Sequence, residues 1–199
     1  MDTPYRGYDV LAKWDTVSFD DRTREELTRR LRDVPQRRFL TKEEFELLAA
    51  IVERLAPVFC ESERQAIAHW IDDRLFHNLG EGFRYAGEPP MRESWRKGLA
   101  AIDGEARRLF AVSFTMLDVS RKDTILRAIQ KGVVDEAFWR GLLRPSLFFS
   151  HTLLKTIVGL AYAHPSAWSD IGFGGPASPR GYVRLGFNQR DPWEAEESR

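Results

Sequence analysis

Residues 41–55 read Thr-Lys-Glu-Glu-Phe-Glu-Leu-Leu-Ala-Ala-Ile-Val-Glu-Arg-Leu. The Thr-x-x-Glu start is a capping box, in which a hydroxyl and a carboxylate satisfy amides at a helix N-terminus. Apolar residues then recur at spacings of three or four, which places them on one helix face: Phe45, Leu48, Val52 and Leu55. Pro57 ends the segment. This stretch predicts an amphipathic helix and indicates helices as the building blocks of the fold.

Similar helix signals recur on both sides of this stretch. Further helices are predicted at 21–33 after an Asp20 cap, from Ser62 to before Gly80, at 91–110, from Ser120 to Gly132, and from Pro145 to Tyr162. The last helix is apolar around nearly its whole circumference, so we expect it to be central to a bundle or covered by another chain. Strand-like alternation never extends beyond a few residues. The sequence therefore predicts an all-α fold, a single bundle-like domain of about six helices.

Long arms rich in aromatic residues, glycine and proline are predicted at both ends of the helical body. The body spans 18–163, the N-terminal arm covers 1–17, and the C-terminal tail covers 164–199. Glycines and prolines between 164 and 193 exclude a long helix or an ordinary strand there. The same stretch holds too much aromatic surface for a disordered segment. We expect it to lie across a surface, either that of the chain's own body or that of a partner protein.

Several motifs resemble one protein family. They are His164-Pro-x-x-Trp168 followed by Ile-Gly-Phe-Gly-Gly-Pro-Ala-x-Pro-Arg-Gly-Tyr-Val-Arg-Leu over 171–185, Tyr-Arg-Gly-Tyr-Asp-Val-Leu-Ala-Lys over 5–13, Pro89-Pro90-Met91-Arg92-x-x-Trp95, and Phe148-Phe149. On these motifs the chain resembles the gluconate 2-dehydrogenase subunit 3 family across most of its length. The resemblance implies a small, mostly helical accessory subunit of a membrane-associated sugar or sugar-acid dehydrogenase. It also implies that catalysis, with its FAD, resides in a partner flavoprotein of the glucose–methanol–choline type, commonly accompanied by a multihaem cytochrome c.

The tail supplies the residues that we expect to bind this partner: Trp168, Ile171, Phe173, Pro176, Pro179, Arg180, Tyr182 and Trp193. Aromatic residues on loops are common anchors of interfaces, and an arginine among glycines can donate several hydrogen bonds. Both features have a second interpretation. Arg180 could pin the tail to its own domain, and Trp168, Tyr182 and Trp193 could cover the chain's own core.

Composition excludes several other classes of protein. The 199 residues contain 30 Lys and Arg and 30 Asp and Glu, so no basic surface for nucleic acid is expected. Cys60, the only cysteine, permits neither an intrachain disulfide nor a Cys-x-x-Cys-His haem site, and we expect it to be a small buried hydrophobe. The longest apolar run, near 152–163, is interrupted by Lys155 and Gly159 and is too short for direct membrane insertion.

The first twenty residues lack both an apolar signal region and an adjacent arginine pair. The chain is therefore expected to be cytoplasmic by its own sequence, and periplasmic only if an exported partner carries it. This departs from many members of the family, which carry a twin-arginine leader.

Catalytic patterns are also missing from the sequence. His69 and His77 lie eight residues apart, too far to chelate one metal directly, so neither a metal nor a cofactor is expected in this chain. We expect His69 to be partly buried with a hydrogen-bond partner, and His164 to cap the C-terminus of the last helix. Two alternatives stay open beside the accessory subunit. One is a stand-alone helical binding module for a small apolar ligand or lipid, and the other is an independent enzyme with a site around His69, His77 and Asp73.

Overall fold

The computed structural model describes residues 3–80, 82, 86–142, 144–177, 181 and 191–197. All regular structure in these residues is helical, which confirms the all-α prediction. The elements in chain order are a 3-10 turn (Val10–Lys13), α1 (Asp21–Arg32), α2 (Lys42–Leu55), α3 (Glu61–Phe76), α4 (Met91–Phe110), a second 3-10 turn (Phe114–Met116), α5 (Val119–Lys131), α6 (Pro145–Leu147), a π-helix (Phe148–Leu154), α7 (Lys155–Ala161) and α8 (Pro165–Asp170).

Contacts divide the chain into two compact units. The central unit is Pro35–Leu160, and the terminal unit joins Met1–Val34 to Ala161–Arg199. The single domain with an arm at 1–17, a body at 18–163 and a tail at 164–199 stays a prediction.

Helix α2 begins with the predicted capping box. The Thr41 hydroxyl accepts the Glu44 N–H at 3.2 Å, and the Glu44 carboxylate accepts the Thr41 N–H at 2.9 Å. The buried face consists of Leu47, Leu48, Ile51 and Val52. Two members of the predicted face, Phe45 and Leu55, are only half-buried. The inward face is therefore rotated slightly from the predicted one.

Helix α3 begins earlier than Ser62, the predicted start. Its first residue is Glu61, and the Glu63 carboxylate accepts the Cys60 N–H at 2.9 Å. As the N-cap residue, Cys60 is exposed, so its predicted burial is wrong. His69, further along α3, is half-buried as expected. The predicted hydrogen-bond partner is missing, however, because its Nδ1 contacts no donor or acceptor in the part of the chain that the structure describes. Burial lowers the pKa of this imidazole.

A buried carboxylate in α3 fixes the loop that precedes α2. Asp72 is fully buried and accepts three successive backbone N–H groups. The shortest distances are 2.5 Å from Arg38, 3.1 Å from Phe39 and 2.7 Å from Leu40. Hydrogen bonds to a charged acceptor are stronger than those between neutral groups, and three of them compensate the burial of this charge.

Helix α4 packs closely on the π-helix. Gly98 leaves room for the Phe148 ring, and a Cβ at this glycine would overlap that ring. Trp95 adds an edge-to-face contact with Phe148 at a centroid distance of 6.3 Å. Both aromatic side chains are buried, at 2% and 1% exposure.

The single helix predicted from Pro145 to Tyr162 is wrong in its interior. Its middle is a π-helix, which is wider than an α-helix and is frequent at functional sites. Adjacent Phe148 and Phe149 are both buried there. Val158 and Tyr162 are 36% and 47% exposed, so this segment is not buried on all sides by its own chain, and its coverage by another chain stays a prediction.

In the terminal unit, a small core forms around residues from both ends of the sequence. Val10, Phe19, Leu27 and Trp168 are buried together, and Tyr8, Leu11 and Trp14 pack against them. Helix α1 begins as predicted, with the Asp20 carboxylate accepting the Thr23 N–H at 2.7 Å.

Acidification is expected to weaken the turn after α4. The Asp103 carboxylate accepts hydrogen bonds from the Phe114 N–H (2.9 Å), the Ser113 hydroxyl (2.7 Å) and the Arg107 guanidinium (2.7 Å). Burial alone would raise the pKa of Asp103, but these hydrogen bonds outweigh it and hold the pKa below its ordinary 3.8. Because the folded pKa is the lower one, the stabilisation is present above the ordinary value and is lost as the pH falls through the folded pKa.

Asp103→Asn should therefore lower the free energy of unfolding by about 1–2 kcal/mol near neutral pH. Thermal unfolding of parent and variant should converge as the solution becomes more acidic than the ordinary pKa. The exposed Asp15 offers a control, since Asp15→Asn should leave stability nearly unchanged near neutral pH. A difference between Asp103→Asn and the parent that persists unchanged in acid would contradict this prediction.

Candidate functional site

The two ends of the sequence that carried the family-like motifs meet in the terminal unit. The Val10 N–H donates to the Ser169 hydroxyl at 3.1 Å, and the Thr3 hydroxyl donates to the Asp170 carbonyl at 2.5 Å. The buried Lys13 ammonium donates to the Gly174 carbonyl. These bonds fix the C-terminal segment against the N-terminal one.

Trp168 belongs to the core of this unit. Its side chain is 5% exposed, and its indole N–H donates to the Tyr162 carbonyl at 2.6 Å. Of the two interpretations of this tryptophan, the structure agrees with the one in which it covers the chain's own core. Its direct role is therefore to fix the backbone that follows it.

Ile171 and Phe173 project from that backbone, 48% and 43% exposed, and together we call them the apolar knob. The Phe173 N–H donates to the Trp168 carbonyl at 2.8 Å, and the two rings meet edge to face at a centroid distance of 5.6 Å. Gly172 between them has φ +68°, and a Cβ there would lie 2.6 Å from the Tyr5 ring. The knob is therefore held in one position before any partner arrives, which reduces the ordering entropy that binding would cost.

The other residues predicted to bind a partner have mixed positions. Pro176 is half-buried beside α1, at a cleft of about 230 Å³. Trp193 is half-buried, and its carbonyl accepts the Tyr8 hydroxyl at 3.2 Å. Pro179, Arg180 and Tyr182 lie outside the described residues.

His164 has a different role from the predicted one. It is the N-cap of α8, where its Nδ1 accepts the Ser166 N–H at 3.3 Å, and it does not cap the C-terminus of the preceding helix. Pro165 explains the difference, because proline suits the first position of a new helix and disfavours helical geometry at the residue before it.

A separate cleft of about 370 Å³ lies in the central unit, between the start of α4 and the π-helix with α7. Its lining includes Ser94, Trp95, His151, Thr152, Lys155 and Thr156. The loop residues Glu88 and Pro89 and the turn after α3 line its other sides. The lining mixes hydroxyl, charged and apolar groups, and the stand-alone binding module for a small apolar ligand or lipid stays a prediction.

The motif around Arg92 organises this region. Its guanidinium donates to the Leu75 carbonyl at 2.7 Å and to the Phe76 carbonyl, both at the end of α3. Arginine at this position satisfies carbonyls that a helix leaves unpaired at its C-terminus. The start of α4 is thereby tied to the end of α3.

Two residues of the predicted alternative enzyme site, Asp73 and His77, form ionic contacts on the surface of α3. The Asp73 carboxylate pairs with the Arg38 guanidinium, and His77 Nε2 lies 3.6 Å from the same carboxylate. Across the described ranges, no three His, Cys, Asp or Glu side chains are grouped so that they could hold a metal ion. None of the helices in those ranges is long and apolar enough to cross a membrane.

The family model for gluconate 2-dehydrogenase subunit 3 matches residues 42–175, about two thirds of the chain. The chain belongs to the gluconate 2-dehydrogenase subunit 3 family. No curated protein and no solved structure matched it significantly.

The range matched by the subunit 3 family contains both candidate regions. It begins at the first residue of α2 and ends just after the apolar knob, so it includes the whole cleft lining. Ile171 and Phe173 are among the tail residues predicted to bind a partner, whereas the cleft was not predicted. A signal for the cleft was present, because His151, Thr152, Lys155 and Thr156 form a polar stripe at spacings of one and four residues on an otherwise apolar segment.

Proposed function

We propose that this member of the subunit 3 family is a non-catalytic accessory subunit of a flavin-dependent gluconate or sugar dehydrogenase of the glucose–methanol–choline type. It would stabilise or mature the catalytic flavoprotein, which carries the FAD, and a cytochrome c is a candidate third subunit. We place the chain in the cytoplasm unless an exported partner carries it. The observation that supports this proposal best is the fixed, exposed apolar knob within a family whose members are named as subunits of a dehydrogenase.

The knob has the properties of an interface anchor. Burying a large apolar side chain contributes about 1.5–3 kcal/mol, and its contribution to affinity is greatest when the side chain is already fixed. Ile171 and Phe173 meet both conditions, since they are half exposed and the Trp168 and Tyr5 rings pack against the segment that carries them. A partner with an apolar pocket could bury both side chains without reorganising this unit.

The proposal can be tested by affinity purification of the tagged chain from its native host. We expect a flavoprotein to co-elute with it, visible by flavin absorbance, and the complex to oxidise gluconate or a related sugar. Ile171→Asp and Phe173→Asp should each reduce the co-eluting flavoprotein at least tenfold, about 1.4 kcal/mol in binding. Ile171→Asp should unfold at nearly the parent temperature, because its side chain is half exposed, whereas Phe173→Asp also loses the ring contact with Trp168 and should unfold somewhat earlier.

Val17→Asp is the matched control. Val17 belongs to the same unit and is 72% exposed, so this variant adds the same charge at a different apolar position and should retain the partner. Turnover by the purified chain without flavin would overturn the non-catalytic assignment. A colourless monomer would favour the stand-alone binding module, and full retention of the flavoprotein by both knob variants would exclude the knob as the contact.

A further inference from the structure

An exposed carboxylate directly precedes the apolar knob. Asp170 is the last residue of α8 and the neighbour of Ile171, and its side chain is exposed. Within the described part of the chain, this carboxylate accepts no hydrogen bond and forms no ion pair. Its backbone is fixed, however, because the Asp170 carbonyl accepts the Thr3 hydroxyl at 2.5 Å. A charge without an intramolecular partner is thus held beside two half-exposed apolar side chains.

The position of Asp170 within α8 is electrostatically unfavourable. The last carbonyls of a helix carry partial negative charge, so a cation is favoured at that end and a carboxylate is disfavoured. The last turn of α8 contains no basic residue that would offset the charge. The Asp170 carboxylate therefore does not stabilise its own helix. A role in binding accounts for a charged residue at this position better than a role in folding.

A second carboxylate strengthens the negative charge on this side of the knob. The backbone amide that follows Asp9 donates to the Ser169 hydroxyl at 3.1 Å, which places Asp9 near Asp170. Asp9 is also exposed. Basic groups of the same N-terminal segment are already engaged, since the buried Lys13 ammonium donates to a carbonyl and Arg6 contacts other residues of the chain. The surface beside the knob is therefore complementary to a positively charged one.

We infer that the knob and Asp170 form one docking surface for the flavoprotein. Ile171 and Phe173 enter an apolar pocket of that partner, and the Asp170 carboxylate pairs with a lysine or arginine at the rim of the pocket. This inference rests on the proposed function, because the flavoprotein is the partner to which it assigns the surface. Interfaces commonly combine an apolar centre with a polar rim, and charges at the rim govern orientation and association rate.

The affinity of the full chain for the flavoprotein that co-purifies with it tests the inference. Asp170→Asn should weaken binding about three- to tenfold, because it removes the charge and keeps the shape of the side chain. Asp170→Lys should weaken binding about a hundredfold or more, because two cations would then meet at the rim. The affinity of the parent should fall between about 0.05 and 0.5 M salt, and that of Asp170→Asn should fall less.

Stability of the same variants separates binding from folding. Both substitutions remove negative charge from the end of α8, so each variant should unfold at or slightly above the parent temperature. A structural role of Asp170 would instead lower that temperature. Asp15→Lys is the matched control, since Asp15 is another exposed carboxylate of the same unit and its reversal should leave the affinity nearly unchanged.

The outcomes that would overturn the inference differ from those that bear on the proposed function. Unchanged affinity in both Asp170 variants, together with loss of the flavoprotein by Ile171→Asp, would overturn the charged rim and leave the accessory function standing. A dimer of this chain that Ile171→Asp dissociates would assign the knob to a second copy and overturn the inference. Absence of a captured flavoprotein from the parent would overturn both.

Discussion

Asp72→Asn is expected to lower the free energy of unfolding by about 3 kcal/mol, which corresponds to about 6–12 °C in the unfolding temperature of a chain of this size. The fully buried Asp72 carboxylate accepts the amides of Arg38, Phe39 and Leu40. Asparagine has the same shape but only one acceptor oxygen, and its NH2 group would face backbone donors. At least one buried amide would lose its partner, and the remaining bonds would lose their charge assistance.

The adjacent Asp73 provides the control for this prediction. Its carboxylate pairs with the side chain of Arg38, which is 41% exposed, rather than with buried amides. Partly exposed ion pairs contribute about 0–1 kcal/mol, so Asp73→Asn should shift the unfolding temperature far less. Thermal unfolding of the two variants under identical conditions is the measurement. Equal stability of Asp72→Asn and the parent would show that the loop before α2 does not depend on this carboxylate.

Gly98→Ala should destabilise the chain by a similar amount, about 2–3 kcal/mol. A Cβ at Gly98 would overlap the Phe148 ring, and that ring is 1% exposed among packed neighbours, so it cannot move aside without disturbing the core. This penalty exceeds the gain of about 1 kcal/mol that alanine brings to a helix interior. Urea unfolding should show a lower midpoint for the variant.

Two further variants test the cause of that loss. Gly159 lies in α7, and a Cβ there meets nothing within 4 Å in the described structure, so Gly159→Ala should stabilise by about 0.5–1 kcal/mol. In a Phe148→Leu background, Gly98→Ala should cost clearly less, because leucine leaves room for the methyl group. An equal cost in both backgrounds would contradict the steric explanation.

Local signals in the sequence predicted much of the fold. The Thr41 capping box and the Asp20 cap work through contacts within one helical turn, and both helices begin where those residues place them. The start of α3 was missed because its capping bond joins the Glu63 carboxylate to the backbone N–H of Cys60. A backbone N–H is available from almost any residue type, so the residue at this position gave no signal. The π-helix begins at Phe148, which packs against Gly98, a contact between residues fifty positions apart that spacing within one helix does not predict.

The candidate sites were predictable to different degrees. Composition predicted that the aromatic tail lies on a surface. It could not distinguish the buried Trp168 from the half-exposed Ile171 and Phe173. That difference depends on which of these side chains the N-terminal residues cover. The cleft was harder still. Its lining comes from α4, the π-helix and α7, and only their tertiary arrangement brings Ser94 and Thr156 to one cavity.

The small core of Val10, Phe19, Leu27 and Trp168 has a consequence for synthesis on the ribosome. Three of its residues are made early, whereas Trp168 is made only after the whole central unit, residues 35–160. Domains fold during translation roughly in the order in which they emerge, so the central unit can fold first while the early segment waits with apolar side chains uncovered. A nascent chain halted before Trp168 would therefore leave Val10, Phe19 and Leu27 without the side chain that completes their core.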